Sequence, residues 1–404
     1  LRFLVRAVMA VFTRYFRISA NIPRELAHID EPYLLLANHY GRYDPFVISH
    51  FIIKPPNFIS SDAILRDWPI GTFFKGLGAM PKKKGMRDSH IIREMVKVIR
   101  SGGALALFPE GTRSWTGETL YIDPSIAKLV KLLQVPVITA KMQGAYAFDP
   151  RWARPLRRAK MVIEYKMILT KEEVKHLSGE ELLSRVRTNL YHDDIAWQRQ
   201  HKIKIRSSKR AEHLDLVLFA CPRCHGFAGF VSRKNSFFCK TCDLAVHVDD
   251  HGFLRAATGK NLPFDNVKDW FAWQAETFIR WVSGQLATKA AQPLFTSAKL
   301  NIAVATGTAK MQPAGKGTVD FYHNRLQINY DEGEGLLLAD IDSLGPQYME
   351  RIEFFYRHKA YRLTSIAARE PGVKWELAIN VAWYKAGLEH KMSPYFKHLV
   401  AGNA

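Results

Sequence analysis

The sequence predicts an α/β fold with a largely parallel sheet over its first half, followed by a small four-cysteine module and an α+β C-terminal region. Three observations carry this. Between residues 30 and 170, short apolar runs alternate with helical patterns, as strands joined by helical crossovers do. Four cysteines then fall within 22 residues, from Cys221 to Cys242. From Leu294 onward short strands of alternating polarity dominate, closed by a last helical pattern in "VKWELAINVAWYKAGL". A length of 404 residues allows two or three domains, with boundaries expected at 1–205, 206–255 and 256–404.

The elements follow in order. The N-terminal "LRFLVRAVMAVFTRYFRIS" has the spacing of a basic amphipathic helix. Arg2, Arg6, Arg14 and Arg17 interrupt it, and its longest apolar run, Ala7 to Phe12, is too short to cross a bilayer. Such a helix suits an anionic membrane surface, or docking on its own domain. No uninterrupted apolar stretch reaches about 18 residues, so no segment reads as a membrane span. Strands are expected at 33–38, 57–60, 104–108, 135–140 and 161–169. In "DSHIIREMVKVIRSGG", Asp88 caps a helix with Ile91, Ile92, Met95, Val96 and Ile99 on one face, and Gly102 and Gly103 end it. Residues 171–205 read as polar helix, and 202–210, "KIKIRSSKR", as a basic linker. Over 265–287, Trp270, Trp273, Phe278 and Trp281 recur at helical spacing, as a core or docking face.

Net charge is +20, from 58 Lys and Arg against 38 Asp and Glu. Residues 1–210 hold 36 basic and 19 acidic residues, or +17, which leaves +3 for the rest. The first half therefore wants an anionic partner: nucleic acid, a membrane surface or a phosphorylated substrate. The clustered cysteines do not fit a secreted disulfide scaffold and point to a reducing compartment, hence the cytoplasm.

Chemistry gathers at two strand ends. In "YLLLANHYGRYDPFVIS" an apolar strand stops at Asn38-His39, and Asp44 follows five residues after the histidine. A His–Asp pair at that spacing arises by chance about once in a chain with this many histidines, so alone it says little. In parallel sheets, however, chemistry sits at the carboxyl ends of strands. A second predicted strand runs into "LFPEGTRSW", where Gly111 allows close backbone approach, Arg113 offers a planar fork of donors, and Glu110 is placed to orient a hydroxyl or hold Arg113. Together, Asn38, His39 and Asp44 with residues 108–114 resemble the glycerolipid acyltransferase superfamily, which includes the 1-acyl-glycerol-3-phosphate acyltransferases. "GLGAMPKKKG" and "VPVITAKMQG" stand where that superfamily carries its second and fourth motifs, and the resemblance covers roughly residues 20–170.

The resemblance implies a three-layer α/β domain that moves a fatty acyl group from a thioester, acyl-coenzyme A or acyl carrier protein, to a hydroxyl of a glycerol-phosphate or lysophospholipid acceptor. His39 would be the general base and Asp44 its orienting partner, an arrangement that needs no covalent nucleophile. Asn38, Lys84, Glu110, Gly111, Thr112 and Arg113 are the expected acceptor-binding residues, with Lys84 and Arg113 clamping its phosphate. Lys84 stands where the family usually has Arg, and "YIDPSIAKL" replaces its basic stretch after the third motif. Both departures bear on the acceptor rather than on the reaction. No organic cofactor is implied. The protein is expected to be cytoplasmic and peripheral on membranes rich in anionic lipid.

Cys221, Cys224, Cys239 and Cys242 form two C-x2-C pairs fourteen residues apart, the spacing of a zinc ribbon. Four thiolates leave no open position for water, so the zinc would be structural. The C-terminal strands and closing helix suggest a small barrel resembling the pleckstrin-homology type. A second functional reading builds a nucleic-acid-binding or protein-interaction module around the ribbon, with the first domain a catalytically silent lipid binder. Nucleic acid is the less expected partner: the ribbon has Arg223, Arg233, Lys234 and Lys240 but few residues suited to base readout.

Overall fold

The computed structural model describes residues 2–61, 72, 76, 78–82, 89–257, 261–288, 290–306, 310–330, 333–347, 351–366 and 369–403. The chain divides into two compact units, the first ending at Ser207 and also taking in residues 250–252. Lys84 and Asp88 lie outside the described residues.

The first unit begins with helix α1 (Arg2–Phe16), strand β1 (Ile18–Asn21), helix α2 (Arg24–Ala27), β2 (Leu34–Ala37), α3 (Asp44–His50), β3 (Asn57–Ser61) and β4 (Met80–Lys82). β5 (Leu105–Leu107), β6 (Val137–Gln143) and β7 (Met161–Leu169) complete a seven-stranded sheet of order β1-β7-β6-β2-β5-β3-β4. Every pairing is parallel except that of β6 with β7. β2 is apolar at every position because it is central. It lies between β5 and β6, and none of its four residues has measurable exposure. Burying each of its leucines contributes about 1.5–3 kcal/mol.

Leu34 and Leu36 pack with Ile91, Met95, Ile99, Val130, Leu182 and Val186, from the helices Ser89–Arg100, Ser125–Leu133 and Gly179–Leu190. α3 reaches the sheet where the Tyr165 hydroxyl donates to the Ile48 carbonyl, and with helices on both faces the unit is three-layered. Helix Ser89–Arg100 ends as expected. Gly102, at φ +82°, donates its N–H to Ile99, and Gly103 donates to Val98, a Schellman arrangement. Ile92 departs from expectation. It is 36% exposed, because a neighbour of Ile91 turns 100° away from the buried stripe. The helices Lys171–His176 and Gly179–Leu190 open on capping boxes, Thr170 with Glu173 and Ser178 with Glu181.

The expected basic linker is structured instead. Ile205 is buried against Ala147 and Ala159, and the Arg206 N–H donates to the Arg158 carbonyl. Lys202, Lys204, Arg206 and Lys209 are exposed while Ile205 anchors the segment, and Arg210 is buried with its guanidinium donating to the Val248 carbonyl at 3.2 Å, a pattern that composition hides.

The second unit starts with a four-stranded antiparallel sheet, β8 (Phe230–Arg233), β9 (Ser236–Cys239), β10 (Ala245–Val248) and β11 (Leu254–Ala256). The helix Val267–Thr288 follows. Trp270 packs on Phe230 and Phe237, while Trp281 reaches Phe227 and Phe295, so the ribbon and the region beyond it share an aromatic interior. That region holds β12 (Phe295–Thr296), β13 (Leu300–Thr306), β14 (Gln312–Phe321), β15 (Arg325–Asn329), β16 (Glu334–Leu337), β17 (Ile341–Gln347), β18 (Arg351–Tyr356) and β19 (Lys359–Ser365). β13–β16 and β17–β19 form antiparallel meanders joined by β13 and β19. The helix Gly372–Lys385, with Trp375 and Trp383 buried, and the helix Pro394–Ala401 complete the unit.

Candidate active site

Each half of the site is an extension of a central strand. Asn38 prolongs β2 and is fully buried. Its amide donates to the Met142 carbonyl at 3.0 Å and accepts from the Met142 N–H at 2.8 Å, which ties the end of β2 to β6. Expected at the acceptor, Asn38 spends its side chain on backbone 104 residues away. The chain then turns through 40–43, and Asp44 opens α3.

His39 Nδ1 lies 2.8 Å from Asp44 Oδ2. The same oxygen accepts the N–H groups of Tyr40 at 2.8 Å and Gly41 at 2.9 Å. An oxygen that already accepts two backbone N–H groups faces the ring as an acceptor, so the proton of the neutral ring sits on Nδ1 and the Nε2 lone pair is left for chemistry. Asp44 is buried, with 4% side-chain exposure, whereas His39 keeps 19%, enough to meet a substrate. The imidazole also stacks on Phe108, centroids 3.9 Å apart and planes 15° from parallel. The ring is therefore fixed both in plane and in azimuth.

The 108–114 loop leaves β5, the parallel neighbour of β2. Glu110 accepts the His39 N–H at 2.8 Å and the Leu120 N–H at 2.7 Å, one on each carboxylate oxygen. Ser114 donates its N–H to the His39 carbonyl at 2.8 Å. The loop thus grips both backbone groups of the histidine. Glu110, expected to orient a hydroxyl or hold Arg113, is a main-chain clamp. Burial pushes its carboxyl up to about 8, against the pull of the two N–H donors. Gly111 adopts φ +70° with open space where a Cβ would stand, so the left-handed backbone requires the glycine, rather than close approach of another chain segment. Thr112 accepts on its hydroxyl from Arg151 at 3.2 Å, and the Arg113 carbonyl accepts from Arg151 at 2.7 Å.

Burial holds His39 below the ordinary histidine range, opposed by Asp44 and assisted by the nearby charges of Arg113 and Arg151. The ring is therefore neutral at pH 7. The arrangement offers an oriented neutral base beside a cationic loop, which suits deprotonation of a hydroxyl on an anionic molecule. Sequence reasoning gave Arg42 no role, took Phe108 only as a motif letter, and missed Asp149 and Arg151. Only the run of arginines over 151–158 hinted at the last.

The four cysteine sulfurs lie within 4.8 Å of one another. Cys221 and Cys242 are 3.7 Å apart and Cys224 and Cys239 are 3.8 Å apart, too far for disulfides. Sulfurs at the corners of a tetrahedron with metal–sulfur bonds of about 2.3 Å stand about 3.8 Å apart, so the set fits a tetrahedral ion. The Thr241 N–H donates to Cys239 Sγ at 3.3 Å, as a knuckle amide does.

Residues 14–143, about a third of the chain, match the Acyltransferase family model, which supports a domain of the glycerolipid acyltransferase superfamily there. Among its relatives, the 1-acyl-sn-glycerol-3-phosphate acyltransferase of Bacillus subtilis (strain 168) is 22% identical over 157 residues, 38% of this chain and 75% of the relative. The crystal structure of the 1-acyl-sn-glycerophosphate (LPA) acyltransferase, PlsC, from Thermotoga maritima covers 46% of this chain and 75% of its own, at 21% identity and a TM-score of 0.41.

Proposed function

We propose that the protein transfers a fatty acyl group from a thioester, acyl-coenzyme A or acyl carrier protein, to a hydroxyl of a glycerol-phosphate or lysophospholipid acceptor. The observation that carries this is the 2.8 Å bond between His39 Nδ1 and Asp44 Oδ2, in a ring clamped by the 108–114 loop. His39 Nε2 takes the acceptor's hydroxyl proton as its oxygen attacks the thioester carbonyl. The tetrahedral adduct collapses with loss of the thiolate. The imidazolium returns its proton to that sulfur, so the products are an ester and a free thiol. Arg113 binds the acceptor's phosphate, with Lys84 its expected partner.

The helix α1 supports a peripheral membrane role at the cytoplasmic surface. Met9 and Thr13 are buried and Phe16 packs on Phe148, so one face docks on the domain. Leu4, Val8, Val11 and Tyr15, spaced four, three and four residues, are 57–71% exposed and form an apolar stripe on another face. Among the described residues no helix is long and apolar enough to cross a membrane. Exposed Arg14 lies beside this stripe, and an apolar stripe on a basic helix suits anionic lipid. The cysteine set holds one structural zinc ion, which crosslinks the two knuckles.

The test is acyl transfer to a panel of lysophosphatidate, glycerol 3-phosphate and other lysophospholipids, with products read by mass spectrometry. Arg113→Ala is expected to raise the KM of a phosphorylated acceptor and leave that of the donor, with a loss of about 1.5–3 kcal/mol for a charged hydrogen bond. Equal loss for donor and acceptor would remove Arg113 from the phosphate site.

A further inference from the structure

Two residues outside every motif in the sequence tie the halves of the site together. After β6 and the short helix Ala145–Phe148, the chain passes through Asp149, Pro150 and Arg151. Asp149 is 1% exposed and accepts from the Arg42 N–H at 2.7 Å and from the Arg42 guanidinium at 2.8 Å. The same guanidinium donates to the carbonyls of Ala153 at 3.0 Å and Arg154 at 2.8 Å. Gly41 makes the room: a Cβ there would stand 2.6 Å from Asp149 Oδ2. Two residues on, Arg151 is 6% exposed and donates to the Arg113 carbonyl and the Thr112 hydroxyl, with its guanidinium 3.7 Å over the Trp115 ring. Buried charges are costly to keep unless hydrogen bonds hold them. Here those bonds are spent on the turn that carries His39 and Asp44, and on the loop that carries Arg113.

We propose that residues 149–151 are a clasp that sets the distance between the general base and the phosphate-binding loop, with Arg151 the positioning residue for Arg113. The kinetic consequence rests on the acyltransferase reading, while the geometric one does not. The titratable groups that face His39 are Asp44, Arg113 and Arg151, with Glu110 on its main-chain N–H. Arg151 thus acts on His39 by charge and on Arg113 by hydrogen bonding, and two substitutions separate these roles. Gln removes the charge and the forked donors. Lys keeps the charge and loses the fork.

The experiment compares the intact chain with Arg151→Gln and Arg151→Lys in acyl transfer from acyl-coenzyme A to lysophosphatidate. His39 is titrated in parallel by NMR, its signal assigned with His39→Ala. Arg151→Gln is expected to raise the acceptor KM about tenfold and leave the donor KM unchanged. It should also move the acid limb of kcat/KM, and the His39 titration, to higher pH, because a cation that disfavours imidazolium is gone. Arg151→Lys should raise the acceptor KM and leave the titration in place. A folded Arg151→Gln protein with unchanged acceptor KM and unchanged titration overturns the proposal. So does a loss of kcat alone, which a purely structural arginine would give. If Arg151→Gln does not fold, Arg151→Lys decides: a raised acceptor KM supports the clasp and an unchanged one overturns it. If the wild type transfers no acyl group, the functional reading has failed, and the backbone amide signals of Thr112, Arg113 and Ser114 judge the clasp by themselves. Displaced signals in a folded Arg151→Gln protein support it, and unmoved ones overturn it.

Discussion

A histidine serves as a base only when one ring nitrogen is held and the other is open, and His39 meets both conditions. His39→Ala removes the proton acceptor and is expected to lower acyl transfer about 10²–10⁴-fold, the usual contribution of a general base. Asp44→Asn leaves the base and loses its orientation, so a larger residual rate should remain. The pH dependence adds a sign. Neutral imidazole is the active form, and burial holds His39 below the ordinary histidine range, so the acid limb of kcat/KM should lie below that range too. Asp44 opposes that depression, hence Asp44→Asn should move the limb lower still while kcat falls. A limb that moved to higher pH in Asp44→Asn would contradict this electrostatic account. The five-residue spacing of His39 and Asp44 says little alone, and the pair was legible only with the 108–114 stretch beside it. Asn38 and Glu110 were legible only as motif letters. Their partners, the Met142 backbone, the His39 N–H and the Leu120 N–H, are set by how the strands meet, which spacing does not encode.

At the scale of elements, the sheet reads well from sequence wherever a strand is central and apolar on both faces, as β2 is. Edge elements do not: β1 and β4 are four and three residues long and carry no periodic signal. Helix α1 was readable as amphipathic, but the sequence left two uses open, and its geometry accommodates both. One face docks through Met9 and Phe16, and another exposes Leu4, Val8, Val11 and Tyr15. Val8→Asp with Val11→Asp changes only exposed positions, so the melting temperature should hardly move. Cosedimentation with vesicles rich in anionic lipid should fall sharply, because the apolar stripe would carry two negative charges. Undiminished cosedimentation would assign membrane binding to another surface. Deleting the helix is a poorer test, since it also uncovers Phe148.

For the molecule as a whole, the cysteine set makes a prediction that its spacing alone could not. Trp270 packs on Phe230 and Phe237, so the ribbon is part of a larger aromatic interior in the second unit. One zinc per chain should be found by native mass spectrometry. Changing Cys221 and Cys224 to Ser, or adding a strong chelator, should release the ion and lower the melting transition of the second unit well beyond residues 221–242. The first unit has its own apolar cluster around Leu34 and Val137, and its transition should stay in place, with acyl transfer retained at least in part. Hydrogen exchange confined to the knuckles after metal loss would show that the aromatic interior stands without the ion. The most direct test of the central claim is acyl transfer measured side by side in the wild type and His39→Ala, with acyl-coenzyme A and acyl carrier protein as donors over the panel of phosphorylated acceptors. The account predicts an ester product from at least one pair, lowered at least a hundredfold in a His39→Ala protein that folds and melts like the wild type. Equal rates in the two proteins, or no product from any pair, would contradict it.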